Sequence, residues 1–252
     1  MPDVPANRRW PLAPFFPWTD GNGQPWPGWS RLPRAIPFVL VYIVVAWVVF
    51  IPAAEPREGL YWIDDDAVGH LLFRIPDLTE HPLRAVRSII TGPWINHDSM
   101  QLIYVTVLLL TFGAGFELRE GTLRMVLIFF GTSFAAALAS GFLLHIIYPD
   151  LWDTRLFDVA WNRFWTGGSA GCFGILGAVA ARARRPELLL AAILLWECAV
   201  WWVVLRNYAS AFHLAALAVG FAVTRWALPP IPRQRPESPH QAAGKSGTTN
   251  TR

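Results

Sequence analysis

The chain has 252 residues, of which 54% are hydrophobic and 15% charged, with a net charge of +3 and 14 Trp. Soluble domains carry about 25% charged residues, so this composition excludes an ordinary water-soluble domain and points to lipid as the solvent. The small, scattered positive charge gives no basis for nucleic-acid binding, and two cysteines in apolar stretches, Cys172 and Cys198, support neither a disulfide framework nor a metal site and read as buried, inert thiols.

Residues 1–34 are rich in Pro, Trp and Gly and lack the compact apolar run of a cleaved signal peptide. Trp10, Trp18, Trp26 and Trp29 suit a segment lying against the inner headgroups. Six apolar segments follow, at Ala35–Pro52, Met100–Phe116, Met125–Tyr148, Thr166–Ala181, Leu188–Leu205 and Asn207–Thr224. A spanning helix needs about 20 residues, so the shorter segments must recruit flanking residues. Long polar connections are expected at Ala53–Ser99 and Pro149–Trp165. The tail from Pro229 to Arg252 is polar and Pro-rich, and it cannot bury enough apolar surface to offset chain entropy; disorder is expected there. The resulting division is an N-terminal segment 1–34, a membrane domain 35–228 and a tail 229–252.

Lys and Arg set the expected orientation. With the N-terminus in the cytoplasm, 14 of the 21 Lys and Arg fall on the inner side, including the short loop 182–185 that holds Arg182, Arg184 and Arg185. An even number of spans returns the C-terminus to the cytoplasm. The second, fourth and sixth spans then all enter from the outer face. Gln101, Ser169 and His213 lie near their starts, at a similar shallow depth.

The stretch Thr166–Gly177 carries the most chemical information. Gly167-Gly168-Ser169-Ala170-Gly171 matches a soluble-hydrolase nucleophile elbow in letters, but no strand precedes it and no βαβ alternation surrounds it. Gly167, Ala170, Gly171, Gly174 and Gly177 instead form a small-residue stripe, and Ala216 and Gly220 offer a matching face after His213. Such faces let membrane helices approach backbone to backbone, which would bring the Ser169 hydroxyl to the His213 ring. A serine needs such a base to become a nucleophile. The bland reading is plain helix packing, with Ser169 satisfied on its own backbone and His213 interfacial.

These residues resemble the rhomboid family of intramembrane serine proteases. The family's Gly-x-Ser-Gly motif is filled by Gly167-Gly168-Ser169-Ala170. Its sixth-helix His-x-x-Gly-x-x-x-Gly is filled by His213 through Gly220, with Ala216 for the first Gly. The stretch 112–117 and Gly121 fit the Gly-containing turn and Glu expected after the second helix. The resemblance covers roughly Thr91 to Thr224 and implies an all-α integral membrane protein, a six-transmembrane-helix rhomboid-like bundle. It further implies a Ser169–His213 dyad that cleaves transmembrane protein substrates near the outer leaflet, with no cofactor or metal, in a bacterial inner (plasma) membrane. The long outer connection, through Gly69–Ile75 and Leu83–Ile90, is similar to the family's loop that shapes lateral access.

The second helix departs from the pattern. Family members carry His, then His five residues on, then Asn four residues further; this chain has Asn96, Gln101 and Val105. His97 sits beside the first position. Gln101 keeps an amide donor for the oxyanion, with Gly167 and the Ser169 N–H beside it; Val105 has none. These changes favour a second reading, an inactive relative that binds transmembrane helices as chaperone or adaptor. A third reading, transport, rests on Glu197 in the middle of the fifth segment, where a hydrogen-bonded structural carboxyl is the plainer account. No carboxylate occupies an obvious third catalytic position.

Overall fold

The computed structural model describes residues 29–151, 153–183, 185–202 and 208–229. The expectations for residues 1–28 and for the tail after Pro229 lie outside the described residues. Each of the six apolar segments contains a helix. We label α1 Pro37–Ala53, α2 Pro82–Thr91, α3 Ser99–Glu120, α4 Thr122–Ile147, α5 Arg155–Asn162, α6 Ser169–Arg182, α7 Pro186–Val200 and α8 Ala209–Ala227. By length and composition, α3, α4 and α8 can each cross a membrane, and α1 and α6 are shorter apolar helices. The protein is an all-α membrane bundle, with one addition that the sequence did not announce. A two-stranded hairpin, β1 (Ala54–Arg57) and β2 (Leu60–Ile63), extends from the end of α1. Gly59 takes φ +82° at its turn, a conformation that suits a residue without Cβ.

The connections expected to be long and polar are partly helical. In α2, Arg84 and Arg87 donate to the carbonyls of Gly69 and His70, which fastens the helix to the preceding loop. Its other face exposes Leu83, Val86 and Ile90. Exposed apolar side chains at this spacing suit a helix lying on lipid.

The core is built around α6. All eleven residues from Gly171 to Ala181 are buried, so the helix is apolar on every side and enclosed by its neighbours. It packs mainly between α4 and α8. Glycines set the spacing on both sides, as the small-residue stripe implies. A Cβ on Gly177 would meet the carbonyl of Leu217, and one on Gly220 would meet the carbonyl of Gly174. Two members of the stripe also meet a second helix. Gly171 abuts the Phe129 ring and Gly174 abuts Thr132, both on α4. One stripe therefore serves two partners.

Two charged clusters secure the other end of the bundle. Glu120 binds Arg124 at 2.6 Å and Arg182 at 3.0 Å, and Arg182 donates to the carbonyl of Leu228. Glu117 accepts the N–H groups of Phe38 (2.9 Å) and Val39 (3.0 Å). These are first-turn donors of α1, where Ile36 at the N-cap supplies no side-chain acceptor. The capping group therefore comes from another helix, 78 residues away in sequence. Glu117→Ala should destabilise the fold by about 2–3 kcal/mol, because it strands buried donors as well as losing two hydrogen bonds. Thermal unfolding in detergent measures this; an unchanged midpoint would remove the tether.

Candidate active site

Ser169 is the first residue of α6. The chain reaches it through Gly167, whose φ of +87° needs glycine, and whose N–H donates to the Gly92 carbonyl at 2.9 Å. A Cβ on the next residue, Gly168, would collide with the Tyr42 hydroxyl and the Phe129 ring. Both glycines thus allow the turn to sit tightly against α1, α3 and α4. Since Ser169 opens the helix, its N–H is among the donors that a helix leaves unpaired in its first turn.

His213 stands in the second turn of α8 and is 6% exposed. Its Nε2 lies 3.0 Å from Ser169 Oγ, within reach for a proton transfer. The glycine contacts of α6 and α8 bring the two side chains together, as the sequence pattern anticipates. The ring also lies flat on Phe173, with centroids 4.2 Å apart and planes 4° from parallel. Phe173 is one turn after Ser169, hence on the same face of α6. Sequence reading passed over it, because an apolar residue in an apolar helix carries no distinctive signal.

The expectation that no carboxylate occupies a third position needs correction. Glu197 Oε1 lies 2.8 Å from His213 Nδ1, and Glu197 is only 3% exposed. The sequence marks Glu197 as a mid-membrane carboxyl but does not say which residue it meets. That depends on how α7 is rotated. The helix buries Leu189, Ile193 and Glu197, one residue per turn, and leaves most of the others exposed. The same rotation exposes Cys198, one residue on, so the expectation of two buried thiols holds for Cys172 alone.

Gln101 plays a part that the sequence reading missed. Asp98 caps α3 by accepting the Gln101 N–H at 2.8 Å, and Gln101 Oε1 reaches back to accept the His97 N–H at 2.7 Å. This resembles a capping box, with the donor shifted by one residue, from the N-cap to His97. It turns the amide nitrogen toward the serine turn, where Nε2 donates to the Thr166 carbonyl at 3.1 Å. An NH₂ group has two donors, so one remains beside Gly167, whose added Cβ would strike this same amide. The His97 ring packs edge-on against Trp62 of the hairpin, with centroids 5.0 Å apart. Asn96 is fully buried, and neither of its amide atoms has a hydrogen-bond partner among the described residues. Val105 is buried as well, and its carbonyl faces the Cys172 thiol at 3.9 Å. Among the described residues, no cluster of His, Cys, Asp or Glu could hold a metal ion.

The fold and this geometry define a class: a helical membrane protein whose buried central helix offers a serine to a histidine on the neighbouring helix. The Rhomboid domain model matches residues 83–229, more than half of the chain, and the chain belongs to the rhomboid family. No curated protein matches it. Rhomboid proteins are generally intramembrane serine proteases acting on transmembrane substrates.

Proposed function

We propose that this chain is an intramembrane serine protease, with Ser169 as nucleophile and His213 as base, cleaving transmembrane substrates near the outer leaflet. The observation that carries the reading is the 3.0 Å approach of His213 Nε2 to Ser169 Oγ. In the first step His213 takes the hydroxyl proton as Oγ bonds to a substrate peptide carbon. The carbonyl oxygen becomes an oxyanion, met by the Ser169 N–H, the free Gln101 amide donor and the positive end of α6. The histidine then returns its proton to the departing amine, and water releases the acyl group. Asn96, His97 and Gly167, beside this donor, are the other oxyanion- and substrate-binding positions of this reading, and the His97 N–H donates to Gln101 Oε1.

Depth supports the same reading. A 14-residue helix such as α6 is about 21 Å long, against a hydrocarbon core of about 30 Å. With Arg182 at the inner face, Ser169 falls below the outer headgroups. We assign residues 35–228 to a six-span membrane domain with both termini cytoplasmic, consistent with the excess of Lys and Arg on that side.

The second reading, an inactive relative that binds transmembrane helices, is favoured by Val105, which offers no donor where family members carry one. One missing oxyanion donor costs on the order of 10²–10³ in rate, a loss that still leaves measurable catalysis. A fluorophosphonate probe separates the two. Labelling of the wild type that vanishes in Ser169→Ala is expected. No labelling, or equal labelling of both, leaves the binding protein. Transport loses its motive, because Glu197 already has a partner in His213.

A further inference from the structure

We infer that Glu197 is a positioning residue for catalysis, holding His213 with its Nδ1–H toward the carboxylate and its Nε2 lone pair toward Ser169. This rests on the serine-protease reading above and extends the dyad to three members.

The buried stripe of α7 has three members at a spacing of four, and the last is a carboxyl aimed at the ring rather than an apolar side chain. A carboxyl group buried in a membrane bundle is costly and persists where a partner compensates it. Here the partner is the nitrogen on the far side of the ring from Ser169. With Glu197 on Nδ1, Ser169 on Nε2 and Phe173 against the face, the imidazole has one available orientation.

An ionised carboxylate only accepts hydrogen bonds, so Nδ1 must carry the proton and Nε2 must be the acceptor. The opposite tautomer would point an N–H at Ser169 and leave no base. When Ser169 attacks, its proton moves to Nε2 while Oγ bonds to the carbonyl carbon and the π electrons move to oxygen. The ring becomes a cation. In a low-dielectric site an adjacent negative charge stabilises that cation far more than it would in water. A dyad without this partner must form the cation unaided. Where Val105 removes support on the oxyanion side, Glu197 adds support on the base side.

Glu197→Gln keeps size and shape and removes the charge. In the full-length protein in proteoliposomes, it should slow labelling of Ser169 by a fluorophosphonate about 10³–10⁴-fold. The value of kcat on a transmembrane substrate should fall equally, with KM within about twofold. A merely structural role would lower the unfolding temperature and leave kcat of the folded fraction unchanged. A second measurement needs no variant: ¹⁵N spectra of histidine-labelled wild type should show His213 protonated at Nδ1 and bare at Nε2. The reverse tautomer, or equal labelling rates in wild type and Glu197→Gln, overturns the role of Glu197 and leaves Ser169 as nucleophile. A wild type that the probe never labels overturns both.

Discussion

His213→Ala is expected to reduce turnover of a transmembrane substrate by about 10⁴–10⁶-fold, with the protein still folded. The ring is the group within 3.0 Å of the Ser169 hydroxyl that can take its proton, and a serine hydroxyl without a base is a weak nucleophile. Alanine opens a cavity against Phe173 and frees Glu197, so a fall in unfolding temperature accompanies the loss. Activity therefore has to be compared per folded molecule. The decisive feature is non-additivity. Ser169 and His213 act as one unit, so the double variant Ser169→Ala/His213→Ala should be no slower than either single variant. Losses that multiply would mean that the two side chains work separately, and His213→Ala within tenfold of wild type would remove it as the base.

The other large effect lies in the glycines that set the spacing of α6 and α8. Gly177→Val should prevent stable assembly of the bundle, costing about 3 kcal/mol or more. Its Cβ would meet backbone atoms, the Leu217 carbonyl and the Phe221 N–H, which cannot rotate away as a side chain can. Gly220→Val should act in the same way against Gly174. Both force apart the two helices that carry Ser169 and His213, so labelling by the probe should fall with stability. Gly131→Ala on α4 is the control. Nothing lies within 4 Å of its added Cβ, and alanine is the better helix former, so stability should hold or rise slightly. Unfolding curves of the three variants in one detergent test this; a tolerant Gly177 would mean that the close approach of α6 and α8 is dispensable.

Much of this molecule was legible in its sequence because lipid imposes strict terms. A chain in hydrocarbon must satisfy its backbone within each helix, so apolar runs of sufficient length become helices. Small residues are read as close contacts for a similar reason, since association in lipid depends on backbone approach. The family match over residues 83–229 contains the region, roughly Thr91 to Thr224, in which the motifs are found. Hairpin β1–β2 was not legible, because Ala54–Arg57 contains a Pro and no apolar alternation. The sequence offers Gln101 as an amide donor but does not show that its oxygen accepts the His97 N–H while Asp98 caps its own N–H. That role depends on the turn that precedes α3.

The amino-acid sequence by itself determined the solvent of this protein, the positions of its apolar helices, and the pairing of Ser169 with His213 through glycine faces. Each follows from local composition or spacing, and lipid penalises the alternatives heavily. Tertiary structure alone decided that Glu197 would meet the far nitrogen of His213, that Phe173 would lie under the ring, and that Glu117 would cap a helix begun 80 residues earlier. These contacts depend on the rotation of each helix about its own axis. Rotation is settled by the packing of all neighbours together, and an apolar helix such as α7 carries little polar asymmetry to announce it.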